Sequence, residues 1–214
     1  MAAEHRGDAF ASAVVLAAGA SARMGSAKQL LPLHGRPLLQ HVLDAAAAAR
    51  LDEIVLVLGP RAAEIGPALR LPHERVVRVV DDPACTSGQA ASLRAGLRAA
   101  DPRAAAAVVL LGDQPGVGAG LIERVLAAFR AGHAPAARPV YGAPGGARTP
   151  GHPVVLARRL WPALAGLRGD EGARALFAAH PEWLLEVEVE GEPPADLDTR
   201  EDYRQALQRA DARP

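Results

Sequence analysis

Cysteine occurs once in this chain, at Cys85. One thiol makes neither an internal disulfide nor a cysteine-based zinc cluster. That points to a reducing, cytoplasmic setting and to Cys85 as a small buried apolar residue rather than a nucleophile. Net charge is also lacking, because 24 Lys and Arg balance 24 Asp and Glu. No global field draws the chain to nucleic acid or to an anionic membrane, so an anionic ligand has to be held locally. No apolar run reaches the roughly eighteen residues of a membrane span, and the first eleven residues, with Glu4, His5, Arg6 and Asp8, lack a signal-peptide core. A soluble, non-exported protein is expected. Solenoid-length repeats are missing, and the alanine runs fall inside helical or strand-like patterns.

Several catalytic signatures are missing as well. There is no "GK[ST]" of a Walker A loop and no "GxGxxG" fingerprint. No Ser, His and Asp set stands in a nucleophile context, and the seven histidines show no metal-ligand spacing. Covalent hydrolysis is thereby disfavoured.

At 214 residues the chain is long enough to bury a core without disulfides or structural metal. Apolar, β-branched runs at Ala13 to Ala18, Ile54 to Leu58, Val76 to Val80 and Val108 to Leu111 predict strands. Each precedes a stretch with helical spacing, namely Leu38 to Arg50, Ala62 to Leu69, Ala90 to Ala100 and Leu121 to Arg130. Such alternation predicts an α/β, three-layer, Rossmann-like sandwich around a mostly parallel sheet. Ligands then bind past the carboxyl ends of the strands. From Ala134 to Pro153 the Pro, Gly and Arg content predicts a crossing segment or mobile loop. Beyond it, strands are expected at Val154 to Leu156 and Leu184 to Val189, with helices near Ala157 to Leu164, Glu171 to Ala179 and Arg200 to Arg209. The organisation expected is a flexible 1–11 followed by one domain over 12–210, split into halves at 133/134.

Three places carry chemistry. After the first run, Gly19, Ala20, Ser21, Ala22 and Gly25 leave backbone N–H groups unscreened, and Arg23 and Lys28 add positive charge. That pattern suits phosphate oxygens, although an ordinary turn remains open. In "LLGDQP", Asp113 directly follows a buried run and is either a ligand for a hard cation or the cap of a turn. In "PADLDTREDY", Asp196 and Asp198 precede a helix. Asp198 reads first as an N-cap with Glu201 in capping-box position, and second as a metal ligand. His152, between glycine and proline in "PGHPVV", suits a structural hydrogen bond or a ligand contact.

"LAAGASARMGSAKQLLPLHGRPLL", followed in order by "GDQP", "GHPVVL", "GDEGAR" and "DLDTREDY", resembles the molybdenum cofactor nucleotidyltransferase family, in its cytidylyltransferase branch, from Ser12 to Leu207. The resemblance implies transfer of CMP from CTP to molybdopterin with release of pyrophosphate. It implies Arg23 and Lys28 as catalytic cations on the triphosphate, with Mg2+ held by Asp113 and Asp198. Ala17, Ala18, Gly19 and Gly25, with Gly88 and Ser92 of "TSGQAASL", would meet the nucleotide. His152, Asp170 and Arg174 would face the acceptor, and a molybdenum hydroxylase is a conceivable recipient. "LAAG" rather than "LAGG" implies CTP over GTP. Two departures stand out: "YGAPGGARTPGHP" is longer than the family's usual approach to "GHP", and Arg200 replaces a common proline. Another phosphorylated acceptor, or a chaperone that carries the cofactor, remains the alternative.

Overall fold

Strands buried on both faces need apolar residues at every position, and the first run meets that demand along its whole length. In this computed structural model, which describes residues 9–19, 27–142, 147–169 and 173–211, with 209–211 as backbone alone, that run is β1 (Ala11–Leu16), buried throughout. A small hairpin of β2 (Pro32–Leu33) and β3 (Arg36–Pro37) leads into α1 (Leu38–Ala48). Next come β4 (Glu53–Val57), α2 (Ala62–Ile65), β5 (Val76–Val80), α3 (Gln89–Ala99), β6 (Ala106–Leu111) and α4 (Ala119–Ala131). The second half adds β7 (Ala136–Tyr141), β8 (Thr149–Pro150), β9 (Val154–Ala157), α5 (Trp161–Leu164), α6 (Arg174–Ala179), β10 (Leu184–Val189) and α7 (Arg200–Asp211).

The main sheet runs β10-β7-β9-β6-β1-β4-β5, with β8 beside β7. Strand β9 is antiparallel to both of its neighbours; β1, β4, β5 and β6 are mutually parallel, as are β7 and β10. Successive side chains point to opposite faces. Val15 and Leu56 therefore join Leu43 of α1 and Phe129 of α4 in one core, while Val14 and Val57 join Leu97 of α3 and Leu164 of α5 in the other. The result is the three-layer, Rossmann-like arrangement, a mostly parallel mixed sheet between two helical layers. Among the described residues no helix is long and apolar enough to cross a membrane.

Four expectations need correction. The stretch from Ala134 to Pro153 is not one irregular loop, because it holds β7 and β8. Arg138 and Pro139 hide the strand by interrupting its apolar pattern. Pro139 is tolerated because it falls where the antiparallel partner changes, with Ala136 and Ala137 on β9 and Val140 and Tyr141 on β8. The helix expected over Ala62 to Leu69 stops at Ile65, where Gly66 and Pro67 turn the chain into a 3-10 turn. Ala157 ends β9 instead of opening a helix. At the amino end, Ala11 is already a buried part of β1, while residues 1–8 lie outside the described residues.

Candidate active site

The carboxyl ends of β1 and β6 lie side by side at the sheet's centre, and the charged pair Lys28 and Asp113 gathers there. Gly112 N–H donates to the Leu16 carbonyl at 2.9 Å. A Cβ on Gly112 would stand 2.8 Å from the Ala17 Cβ, so only glycine lets the two loops lie this close. Asp113 is thereby set beside the exit of β1. On the other side, Gln29, only 2% exposed, donates through Nε2 to the carbonyls of Ala17 at 2.7 Å and Gly19 at 3.2 Å. This amide ties the 3-10 turn at Lys28–Leu30 to the β1 exit and aims Lys28 across the mouth.

Lys28 Nζ lies 2.5 Å from Asp113 Oδ2 and 2.7 Å from Asp198 Oδ1. The lysine and Asp113 side chains are 11% and 21% exposed and Asp198 is half exposed, so the ammonium sits between two carboxylates at the edge of the protein. Burial pulls the lysine pKa down, but the charge and hydrogen bond of Asp113, joined by those of Asp198, outweigh it and leave the pKa raised. Two hard oxygen donors already gathered around one positive charge fit a hard divalent cation, which takes few protein carboxylates and completes its shell with water and phosphate.

The capping question resolves in favour of a neighbour. Thr199 Oγ1 accepts from Asp202 N at 3.1 Å, and Thr199 N donates to Asp202 Oδ2 at 2.8 Å, forming a reciprocal box one residue beyond the expected one. Asp198 is left to face Lys28.

Ala17 and Ala18 are buried at the β1 exit, and the Ala18 methyl lies where a side chain on Gly59 would meet it at 3.0 Å. Gly88, at φ +117°, precedes α3. Ser92 is buried, and its hydroxyl donates to the Cys85 carbonyl at 3.2 Å, so it closes a turn onto α3. Burial pushes the Cys85 thiol up, which suits an inert packing residue. His152 and Arg174 share the wall of a cavity of about 530 Å³, together with Gln114, Arg138 and Asp196. Burial holds the His152 imidazole at about 4, against the opposing pull of Asp113, so the ring is neutral near pH 7. Arg23, Gly25 and Asp170 lie outside the described residues. Gln29 and Gln114 are not singled out by any motif of the sequence. The one available signal was adjacency, each amide directly following a charged residue of the site.

Residues 13–183 match the model of the MobA-like NTP transferase domain. Nicotine blue oxidoreductase of Paenarthrobacter nicotinovorans is 35% identical over 202 residues, spanning 91% of this chain and 95% of that protein. Purine catabolism protein PucB of Bacillus subtilis (strain 168) is 33% identical over 200 residues, spanning 89% and 92%. The crystal structure of Rv0371c from Mycobacterium tuberculosis H37Rv has a TM-score of 0.80 at 35% identity, covering 93% of this chain and 97% of that one. A complex of Rv0371C with manganese has a TM-score of 0.76 at 34% identity, covering 93% and 98%.

Proposed function

We propose a nucleotide, an acceptor and a metal for this chain, which belongs to the MobA-like NTP transferase family and is a nucleotidyltransferase: CMP passes from CTP to molybdopterin, pyrophosphate leaves, and Mg2+ assists. The observation that carries the reading is Lys28 suspended between Asp113 and Asp198 at the β1 and β6 exits. The manganese complex of the mycobacterial relative supports a divalent cation. When bound, that cation would neutralise phosphate oxygens near the α-phosphorus.

The chain's own residues act by position. A phosphate oxygen of the acceptor attacks the α-phosphorus of CTP in line, and the bond from that phosphorus to the bridging oxygen breaks as pyrophosphate departs. Arg23 and Lys28 hold the charge that grows on the leaving group, Lys28 turning from the carboxylates to the triphosphate. Ala17, Ala18, Gly19 and Gly25 line the nucleotide side with Gly88 and Ser92. His152, Asp170 and Arg174 face the acceptor, His152 as a neutral hydrogen-bonding group. No general base is needed, because a phosphate monoester is already ionised near pH 7. One relative carries an oxidoreductase's name, but this sequence has no "GxGxxG" to seat a dinucleotide.

Incubation of the purified protein with Mg2+, each of the four NTPs and molybdopterin tests the assignment through pyrophosphate release. Release is expected with CTP and only when molybdopterin is present. Equal release with GTP would remove the nucleotide assignment, and release with a different phosphorylated acceptor alone would move the chain to another branch.

A further inference from the structure

We infer that Gln114, through its hydrogen bond to Asp196, is a positioning residue that sets the spacing of the Asp113 and Asp198 carboxylates. Asp113 belongs to a loop fixed on β6, whereas Asp198 sits between Val189 and Arg200, where the chain forms neither helix nor strand. A carboxylate on such a segment reaches its partner only if the segment is fastened to the loop. Gln114 Nε2 donates to Asp196 Oδ1 at 2.6 Å, one residue past Asp113 and two before Asp198. Leu197 N–H donates to the Asp113 carbonyl at 3.2 Å, and Leu197 is buried. Lys28 is the third tie. In the proposed mechanism the lysine turns to phosphate, which leaves the Gln114 bond as the side-chain fastener between loop and segment.

The amide's own state argues that it is present for geometry rather than stability. Gln114 is 7% exposed, and its Oε1 is buried without a hydrogen-bond partner. A buried carbonyl left unpaired works against folding, and an apolar side chain of the same size would avoid that loss. Rotating the amide gives no relief, because Oε1 would then oppose the carboxylate of Asp196. Both residues also line the cavity of about 530 Å³.

The inference rests on the reading that Asp113 and Asp198 share a divalent cation, and the test separates the two. Mn2+ affinity is measured by electron paramagnetic resonance in the presence of the non-hydrolysable methylene analogue of CTP, alongside thermal midpoints. Gln114→Leu should weaken Mn2+ binding by about tenfold or more, the scale of losing an outer-shell partner, without lowering the midpoint. Asp196→Ala should weaken it similarly, and combining the two should add little further loss. Asp196→Asn, whose side-chain carbonyl still accepts from Gln114, should retain binding although it loses the same charge as Asp196→Ala. Gln114→Leu within twofold of the unaltered protein, or Asp196→Asn as weak as Asp196→Ala, would overturn the positioning role alone. Absence of Mn2+ binding by the unaltered protein would overturn the shared-cation reading and this role with it.

Discussion

Asp198 and Thr199 are neighbours with opposite partners: one faces Lys28 at 2.7 Å, the other closes the first turn of α7 through Asp202. Substituting each separates chemistry from stability. Thr199→Ala should cost about 0.5–2 kcal/mol in denaturant unfolding and leave pyrophosphate release intact, while Asp198→Asn should do the reverse. The opposite pattern would return Asp198 to a structural role. His152 gives a pH prediction. Its folded pKa is depressed from 6.5 to about 4, so between those values the unfolded chain takes up a proton that the fold refuses. Stability therefore falls as pH drops through that window, by at most roughly 3 kcal/mol. His152→Gln should flatten that limb of the unfolding curve, and an unchanged limb would assign the acid sensitivity elsewhere. Lys28 and Asp113 were legible because each stands in a short run of distinctive residues directly after an apolar run. Asp198 was misleading because a capping box with Glu201 is the favoured local reading, whereas Thr199 and Asp202 form the box one step of register on. Gln29 and Gln114 were hidden because their partners lie 12 and 82 residues away, and nothing local distinguishes such an amide from a solvated one.

At the scale of elements, two glycines govern close approaches with different consequences. A Cβ on Gly96 of α3 would lie 2.4 Å from Val14 Cγ1. Overpacking of that kind costs about 1–3 kcal/mol, more than the ~1 kcal/mol that alanine gains over glycine in a helix. Gly96→Ala should thus lower the Tm while the folded fraction turns over normally. Gly112→Ala pushes the loop of Asp113 away from Ala17 and should instead reduce turnover more than stability. Equal effects of both substitutions on turnover would detach the Gly112 approach from the site. The central strands were readable because burial on both faces demands uninterrupted apolar residues, a pattern visible without knowing the partners. Strand β7 was not, since Arg138 is neutralised by Glu186 at 2.7 Å on β10 and Pro139 by a change of partner strand. Both compensations arise from pairing between distant segments.

The whole molecule has no net charge, yet it places a cation and two carboxylates at one mouth of its sheet, near a cavity of about 530 Å³. Nucleotidyl transfer is the activity proposed for this cluster. Its most direct test is the rate of CTP- and molybdopterin-dependent pyrophosphate release by the unaltered protein and by Asp113→Asn, with midpoints measured on both. Asp113→Asn should lose roughly a hundredfold or more in kcat, the scale of removing one electrostatic contact from a preorganised site, with the Tm within a few degrees. Turnover by Asp113→Asn equal to that of the unaltered protein would contradict that assignment.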